Sequence, residues 1–289
     1  MIVPTRELVD RARRGGGAVA ALNVITLEHA EAVVAAAAAR EMGVILQISE
    51  NAVRYHGGAL EPIAVASAAV ARSAHTPVAL HLDHVTDDEL LAEGCASVFS
   101  SVMYDAGALP YEANVERTRA AVTLAHGAGL WVEAELGYVG GKTGVAASAH
   151  APGVRTDADE AAAFVTATDV DALAVAVGSS HAMTERTARL DVDLVAALRD
   201  RLAVPLVLHG SSGVPDDDLQ RAVAAGIAKV NVGTALNVAM THEVRAWLRA
   251  NPEQTDPRLY LSGARDAMTA AVDRLLTMLA SAEVSARPA

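Results

Sequence analysis

Three histidines close three apolar, strand-like runs in distant parts of the chain: His84 in His-Leu-Asp-His (81–84), His181 in Ala-Val-Gly-Ser-Ser-His (176–181) and His209 in Leu-Val-Leu-His-Gly-Ser-Ser-Gly (206–213). Imidazoles at the ends of separate strands can converge as a facial set of nitrogen ligands on one divalent cation, and zinc is the first metal such a set suits. A single histidine is most often a hydrogen-bonded structural residue. Three at equivalent strand ends reverse that preference, and the remaining histidines lie elsewhere: His29, His126 and His242 in helical stretches, His56, His75 and His150 in loops.

The elements that must position this set are legible as a rhythm. Short β-branched runs at 19–24, 44–49, 78–83, 97–103, 131–136, 172–177, 206–209 and 229–233 alternate with Ala-rich stretches at helical spacing, 27–40, 62–73, 87–93, 111–125, 159–167, 192–201 and 216–225. Eight such units predict a (β/α)8 barrel, with a doubly wound open sheet as the runner-up. Stretches 241–248 and 263–279 add C-terminal helices, with a loop at 251–257 between them. No linker or repeat divides the chain, so residues 1–289 are expected to form a single barrel domain. Active sites of this fold form at the C-terminal ends of the strands, where Asp83, His84, Asp105, Glu135, His181, His209 and Asn231 fall.

Composition narrows the function classes. The 289 residues are 52% hydrophobic but only 3% aromatic, which allows a large core of Ala, Val and Leu. A net charge of −12 argues against a nucleic-acid partner, which would need a basic footprint. It leaves an anionic small molecule open, because a metal and backbone N–H groups can make a site locally positive. Cys95 is the only cysteine, which excludes an intramolecular disulfide and fits a reducing, cytoplasmic location. The opening residues lead into no apolar signal region, and the apolar run 32–39 is too short to span a membrane.

Several tempting motifs fail on inspection. Gly137 to Thr143 ends like a phosphate-binding P-loop, but the motif needs glycine at position 136, where Leu136 stands. Gly15-Gly16-Gly17 follows no strand, as a dinucleotide fingerprint would require. Ser211 and Ser212 lie near His209 without the G-x-S-x-G elbow of a nucleophilic serine. The chain has two lysines, Lys142 in a Gly-rich loop and Lys229 at the opening of its strand. Four residues of strand put Lys229 ~13 Å below the catalytic end, so a Schiff base is disfavoured and carbonyl chemistry would need a metal electrophile.

Taken in order along the chain, Ala21-Leu22-Asn23, Gln47-Ile48-Ser49, His81-Leu82-Asp83-His84, Val132 to Gly137, Gly178 to His181, His209 to Gly213 and Lys229-Val230-Asn231-Val232 resemble the class II ketose-bisphosphate aldolases, which include fructose- and tagatose-bisphosphate aldolases. The resemblance implies that His84, His181 and His209 bind a catalytic Zn2+, and that the substrate is a sugar phosphate cleaved through an enediolate of dihydroxyacetone phosphate. It implies that Asp83 is the acid/base, against a bland reading in which it only orients His84. Asp105 and Glu135 resemble carboxylates that hold a second zinc in some members, and they equally suit hydrogen-bond acceptors for the metal ligands. Gly210, Ser212, Asn231, Gly233 and Thr234 match positions around the donor phosphate, where small residues permit close approach. Asn231 and Thr234 also suit turn formers. Asn23 and Ser49 match substrate-facing positions more weakly and could instead cap the following helices. Members pair into dimers or larger assemblies, so a homo-oligomer, dimer or tetramer, is expected.

The departures bear on the substrate. Where the family commonly reads H-G-x-Y-K, this chain reads His181-Ala182-Met183-Thr184-Glu185, and a carboxylate at Glu185 would repel phosphate unless its loop points it away. Where fructose-bisphosphate enzymes read N-x-D-T-[DE]-x-R, it reads Asn231-Val232-Gly233-Thr234-Ala235-Leu236-Asn237. The loop acid of G-G-x-E-D is missing from Gly140 to Gly144. The expectation is therefore an aldolase whose acceptor is not glyceraldehyde 3-phosphate. A non-catalytic sugar-phosphate binder and a metal-dependent barrel hydrolase or isomerase are the alternatives.

Overall fold

In the computed structural model, which describes residues 1–137, 139 and 155–280, eight parallel strands close into a barrel in chain order. The strands are β1 (Val19–Asn23), β2 (Val44–Ser49), β3 (Val78–Val85), β4 (Ser101–Tyr104), β5 (Trp131–Leu136), β6 (Ala172–Val175), β7 (Leu206–Leu208) and β8 (Ile227–Val232). Outside them lie α2 (Leu27–Ala39), α3 (Glu50–Tyr55), α4 (Leu60–Ser73), α5 (Asp88–Cys95), α6 (Tyr111–Gly127), α7 (Ala158–Thr168), α8 (Val192–Arg201) and α9 (Asp216–Ala225). After β8 come α10 (Thr234–Ala250) and α11 (Pro257–Leu279). The expected barrel with extra C-terminal helices is the observed fold. The open sheet is ruled out by the pairing of β1 with β8, Ala21 opposite Asn231.

Each strand splits its side chains between two environments by the period of two. On β1, Leu22 joins the large layer between sheet and helices, while Val19 and Ala21 join a smaller cluster with Ile45, Ala79, Trp131, Ala172, Ala174 and Val207, all of matching parity. That cluster fills the barrel toward its N-terminal end. A first helix, α1 (Thr5–Arg14), closes the same end, with Leu8 and Val9 packed on the cluster and Thr5 hydrogen-bonded through Oγ1 to Ser101 Oγ at 2.6 Å. Continuing inward parity toward the other end, the residues turn polar apart from Met103: Asn23, Gln47, His81, Asp83, Ser101, Glu133, Glu135, Lys229 and Asn231.

The boundaries differ from sequence expectation where local chemistry overrides β propensity. β4 begins at Ser101, not at residue 97, because Ser97 N–H still bonds Gly94 in the turn leaving α5. β8 begins at Ile227, two residues before Lys229, so the lysine lies within the strand. α1 and α3 were not expected as helices, and α10 starts at Thr234 rather than near residue 241.

Candidate active site

The catalytic end of β3 is built by a break in the strand's own rule. His81 and Asp83 share one parity, and strict alternation would point His84 away from them. Between Leu82 and Val85 the register against β4 shifts, and His84 adopts a left-handed φ of 51°. This bulge turns the imidazole to the barrel mouth. Glu50, buried at the start of α3, holds the bulge from beyond: its carboxylate accepts from Thr86 N at 2.6 Å and from Asp87 N at 3.3 Å.

There His84 meets His181, beyond β6, and His209, directly after β7. The ring centroids lie 5.2 Å (His84 to His181), 4.9 Å (His84 to His209) and 5.7 Å (His181 to His209) apart, the rings steeply inclined to one another. One ligand atom from each histidine and one from Glu135 all lie within 4.8 Å of one another.

Hydrogen bonds decide which nitrogen of two rings faces inward. His84 Nδ1 donates to Asp105 Oδ2 at 2.9 Å, leaving Nε2 with its lone pair toward the site. His209 Nε2 donates to Glu133 Oε1 at 2.8 Å, and its buried Nδ1 stands 3.0 Å from Glu135 Oε2. An imidazole nitrogen gathered with two other imidazoles and a carboxylate is the donor set a divalent metal takes. Asp105 therefore stands behind His84 and outside the four-residue cluster, whereas Glu135 is part of it.

A second layer below the mouth was not apparent from sequence. Lys229, fully buried, donates to Glu133 Oε2 at 2.8 Å and to Asn231 Oδ1 at 2.8 Å. Burial alone would raise the pKa of Glu133, but the Lys229 ammonium and His209 bring it down to about 2. For His209 burial opposes protonation, and the carboxylates of Glu133 and Glu135 outweigh it, pushing the ring up to about 9. Gln47 Nε2 bridges Asn23 Oδ1 at 2.8 Å and Asp83 Oδ2 at 3.0 Å. Asp83 is 1% exposed, with Oδ2 3.8 Å from His84 Nε2. Burial would favour its neutral acid, but the neighbouring imidazoles of His84, His81 and His209 prevail and hold it well below the usual carboxylate range.

The pocket over this cluster is lined by Asn23, Asp83, His84, His181, Gly210, Ser212, Asn231, Gly233 and Thr234, with Gln47, Ser180, Ala182, Ser211 and Asn237 completing the wall. Gly210 has φ 65°, and a Cβ there would lie 2.6 Å from the Ser180 carbonyl. A Cβ on Gly233 would lie 2.9 Å from Asn23 Nδ2. Ser212 Oγ accepts from Ala235 N at 3.1 Å, tying the turn after β7 to the first turn of α10.

Two residues fall elsewhere than expected. Ser49, taken as substrate-facing, is the N-cap of α3, its Oγ accepting from Ala52 N at 3.2 Å, and it does not line the pocket. Glu185 is exposed and also absent from the pocket wall, so its charge is not aimed at the site. Arg265 of α11, half-buried and outside the pocket wall, pairs with Glu31 at 2.7 Å. The loop 140–144 lies outside the described residues.

A closed (β/α)8 barrel with acids and histidines gathered at its C-terminal mouth defines a barrel enzyme. The model of the family described as fructose-bisphosphate aldolase class-II matches residues 3–284, and the chain belongs to that family: it is a class II aldolase, a carbon–carbon lyase. Among solved structures it is similar to the YdjI aldolase of Escherichia coli K12, at 29% identity and a TM-score of 0.82 over 98% of this chain and 100% of that one. It is also similar to a Coccidioides immitis protein provisionally described as a fructose-1,6-biphosphate aldolase, at 27% identity and a TM-score of 0.84 over 97% and 98%. The fructose-bisphosphate aldolase of Campylobacter jejuni shares the fold at 22% identity, with a TM-score of 0.76 over 96% and 95%.

Proposed function

We propose that the protein is a zinc-dependent aldolase that reversibly cleaves a ketose phosphate to dihydroxyacetone phosphate and an aldehyde other than glyceraldehyde 3-phosphate. The observation that carries this reading is the meeting of His84, Glu135, His181 and His209 ligand atoms within 4.8 Å, with the Asp83 carboxylate beside them. His84, His181 and His209 would hold Zn2+, with Glu135 as a fourth donor or the seat of a second ion; Asp105 and Glu133 orient the rings. Zinc bound there supplies an electrophile that stabilises negative charge developing on a carbonyl oxygen.

Asp83 serves as acid and base. In cleavage its carboxylate, kept ionised by its neighbours, removes the hydroxyl proton of the carbon that becomes the aldehyde, and in condensation it returns a proton to that oxygen. Gln47 fixes its Oδ2, so the carboxylate does not rotate freely. The donor phosphate sits against Gly210, Ser212, Gly233 and Thr234, with Asn231 and Asn23 on the wall beside it. The first turn of α10 begins there, its positive end toward the pocket, and the absence of Cβ atoms at both glycines permits close approach. The reading extends to a cytoplasmic homo-oligomer, dimer or tetramer, supported by α10, where only Leu236 is buried while Val238 and Leu248 are exposed. No helix among the described residues is long and apolar enough to cross a membrane.

The test is NMR exchange of the hydroxymethyl protons of dihydroxyacetone phosphate in D2O, with zinc-loaded, chelator-treated and Asp83→Ala protein. Zinc-dependent, stereospecific exchange is the expected result. Its absence from folded, zinc-loaded protein would overturn the donor assignment.

A further inference from the structure

Among the described residues the pocket has one built anion cradle and no second. Among its described lining residues there is no lysine and no arginine. Backbone N–H groups at the start of α10, with Ser212 and Thr234, can accommodate one phosphate. A second phosphate in the same pocket would be desolvated against neutral amides and hydroxyls, at a cost no described lining side chain offsets.

One of those neutral groups is held in a defined orientation. Asn237, one turn along α10 from Thr234, is exposed to the pocket. Behind it His29, 2% exposed, stands with Nε2 3.3 Å from Asn237 Oδ1. The backbone N–H of Thr26 donates to His29 Nδ1 at 3.3 Å, which makes Nδ1 the acceptor of the ring and Nε2 the nitrogen bearing hydrogen. Burial pushes the pKa of His29 below the ordinary imidazole value, so the ring stays neutral with that one N–H. Asn237 Oδ1 is consequently occupied as an acceptor, and its Nδ2 hydrogens are the donors left for a ligand oxygen.

We propose that Asn237, oriented by His29, recognises a hydroxyl oxygen of an unphosphorylated hydroxyaldehyde, so that the enzyme joins a phosphorylated donor to a neutral acceptor. The inference rests on the aldolase reading above and specifies the acceptor of that site. In condensation one carbon–carbon bond forms between C3 of dihydroxyacetone phosphate and the aldehyde carbon. The proton lost at C3 is matched by the proton gained at the aldehyde oxygen, and no further reactant enters. Asn237 is the specificity-determining residue and His29 a positioning residue.

The test uses zinc-loaded, full-length enzyme with dihydroxyacetone phosphate and three aldehydes: D-glyceraldehyde, D-glyceraldehyde 3-phosphate and propanal. We expect kcat/KM for glyceraldehyde to exceed those for the other two by about tenfold or more, the size of one well-made hydrogen bond. In Asn237→Leu the ratio of glyceraldehyde to propanal should fall toward one. His29→Leu should lower the same ratio, and His29→Gln, which keeps an N–H able to reach Oδ1, should restore most of it. Preference of the wild type for the phosphorylated aldehyde, or an unchanged ratio in Asn237→Leu, would overturn the proposal while leaving the aldolase reading intact. Failure of the wild type to exchange dihydroxyacetone phosphate protons would overturn both.

Discussion

Lys229 and Glu133 form a fully buried ion pair inside the barrel, Nζ to Oε2 at 2.8 Å, between strands that lie on different sides of the sheet closure. Glu133 passes that constraint to His209 through its other oxygen. The sole lysine among the described residues is thus committed to supporting a candidate metal ligand, which also agrees with the absence of a Schiff-base role. Replacing Lys229 by Met leaves a buried carboxylate without its cation, and we expect a loss of about 3–5 kcal/mol in urea unfolding. A loss under 1 kcal/mol would show that the pair is structurally dispensable.

Asp105 acts on the site through His84 Nδ1. In Asp105→Asn the ring loses its charged acceptor but keeps its space, and zinc affinity should fall about 10–100-fold in a chelator competition. Unchanged affinity would remove Asp105 from the metal's support.

The protonation of His209 gives the metal-free protein a pH signature. Its folded-state value of about 9 lies above the ordinary 6.5, so its contribution to stability is fully present below pH 6.5 and is lost as pH rises through 9. Chelator-treated protein should therefore lose thermal stability across that window. Zinc binding in the same window must expel the proton, which titration calorimetry in buffers of different ionisation enthalpy will count.

Asp83→Asn preserves shape and the Gln47 contact region while removing the base. Turnover should fall by about 10²–10⁴-fold with zinc content unchanged. Retention of wild-type turnover would return Asp83 to an orienting role.

Gly210 is held at φ 65° against the Ser180 carbonyl, so Gly210→Ala meets both backbone strain and a clash that no side-chain rotation relieves. We expect a raised KM for the donor phosphate together with a lower melting temperature. A variant with both unaltered would show that the turn after β7 can shift at no cost.

What could be read in the chain beforehand, and what could not, divides along physical lines. β2 and β5 were delimited to the residue: β2 is a Val-Ile-Leu-Gln-Ile run ended by Ser49, and β5 alternates Trp, Glu and Glu with Val, Ala and Leu between Leu130 and Gly137. His84, His181 and His209 were found together because each sits at a strand end, a position the fold itself makes meaningful. The network beneath was not, since Glu133 and Lys229 are 96 residues apart and only barrel closure and strand stagger bring them into contact. Ser49 was over-read: a serine after a strand and before a helix serves both as cap and as substrate contact in sequence, and only its hydrogen bond to Ala52 decides. The amphipathic first helix was missed because only Thr5, Leu8 and Val9 of its ten residues are buried.

The bulge in β3 has a consequence for anyone wishing to move this centre into another barrel. Because His84 is aimed by a left-handed backbone and a register shift, not by a choice of rotamer, copying the three histidines onto regular strands would leave one of them facing the outer helices. The transplantable unit is the strand irregularity together with the Glu50 clamp that holds the chain beyond it. Conversely, deleting one residue between Leu82 and Val85 would restore an ordinary ladder and erase the centre while sparing the barrel.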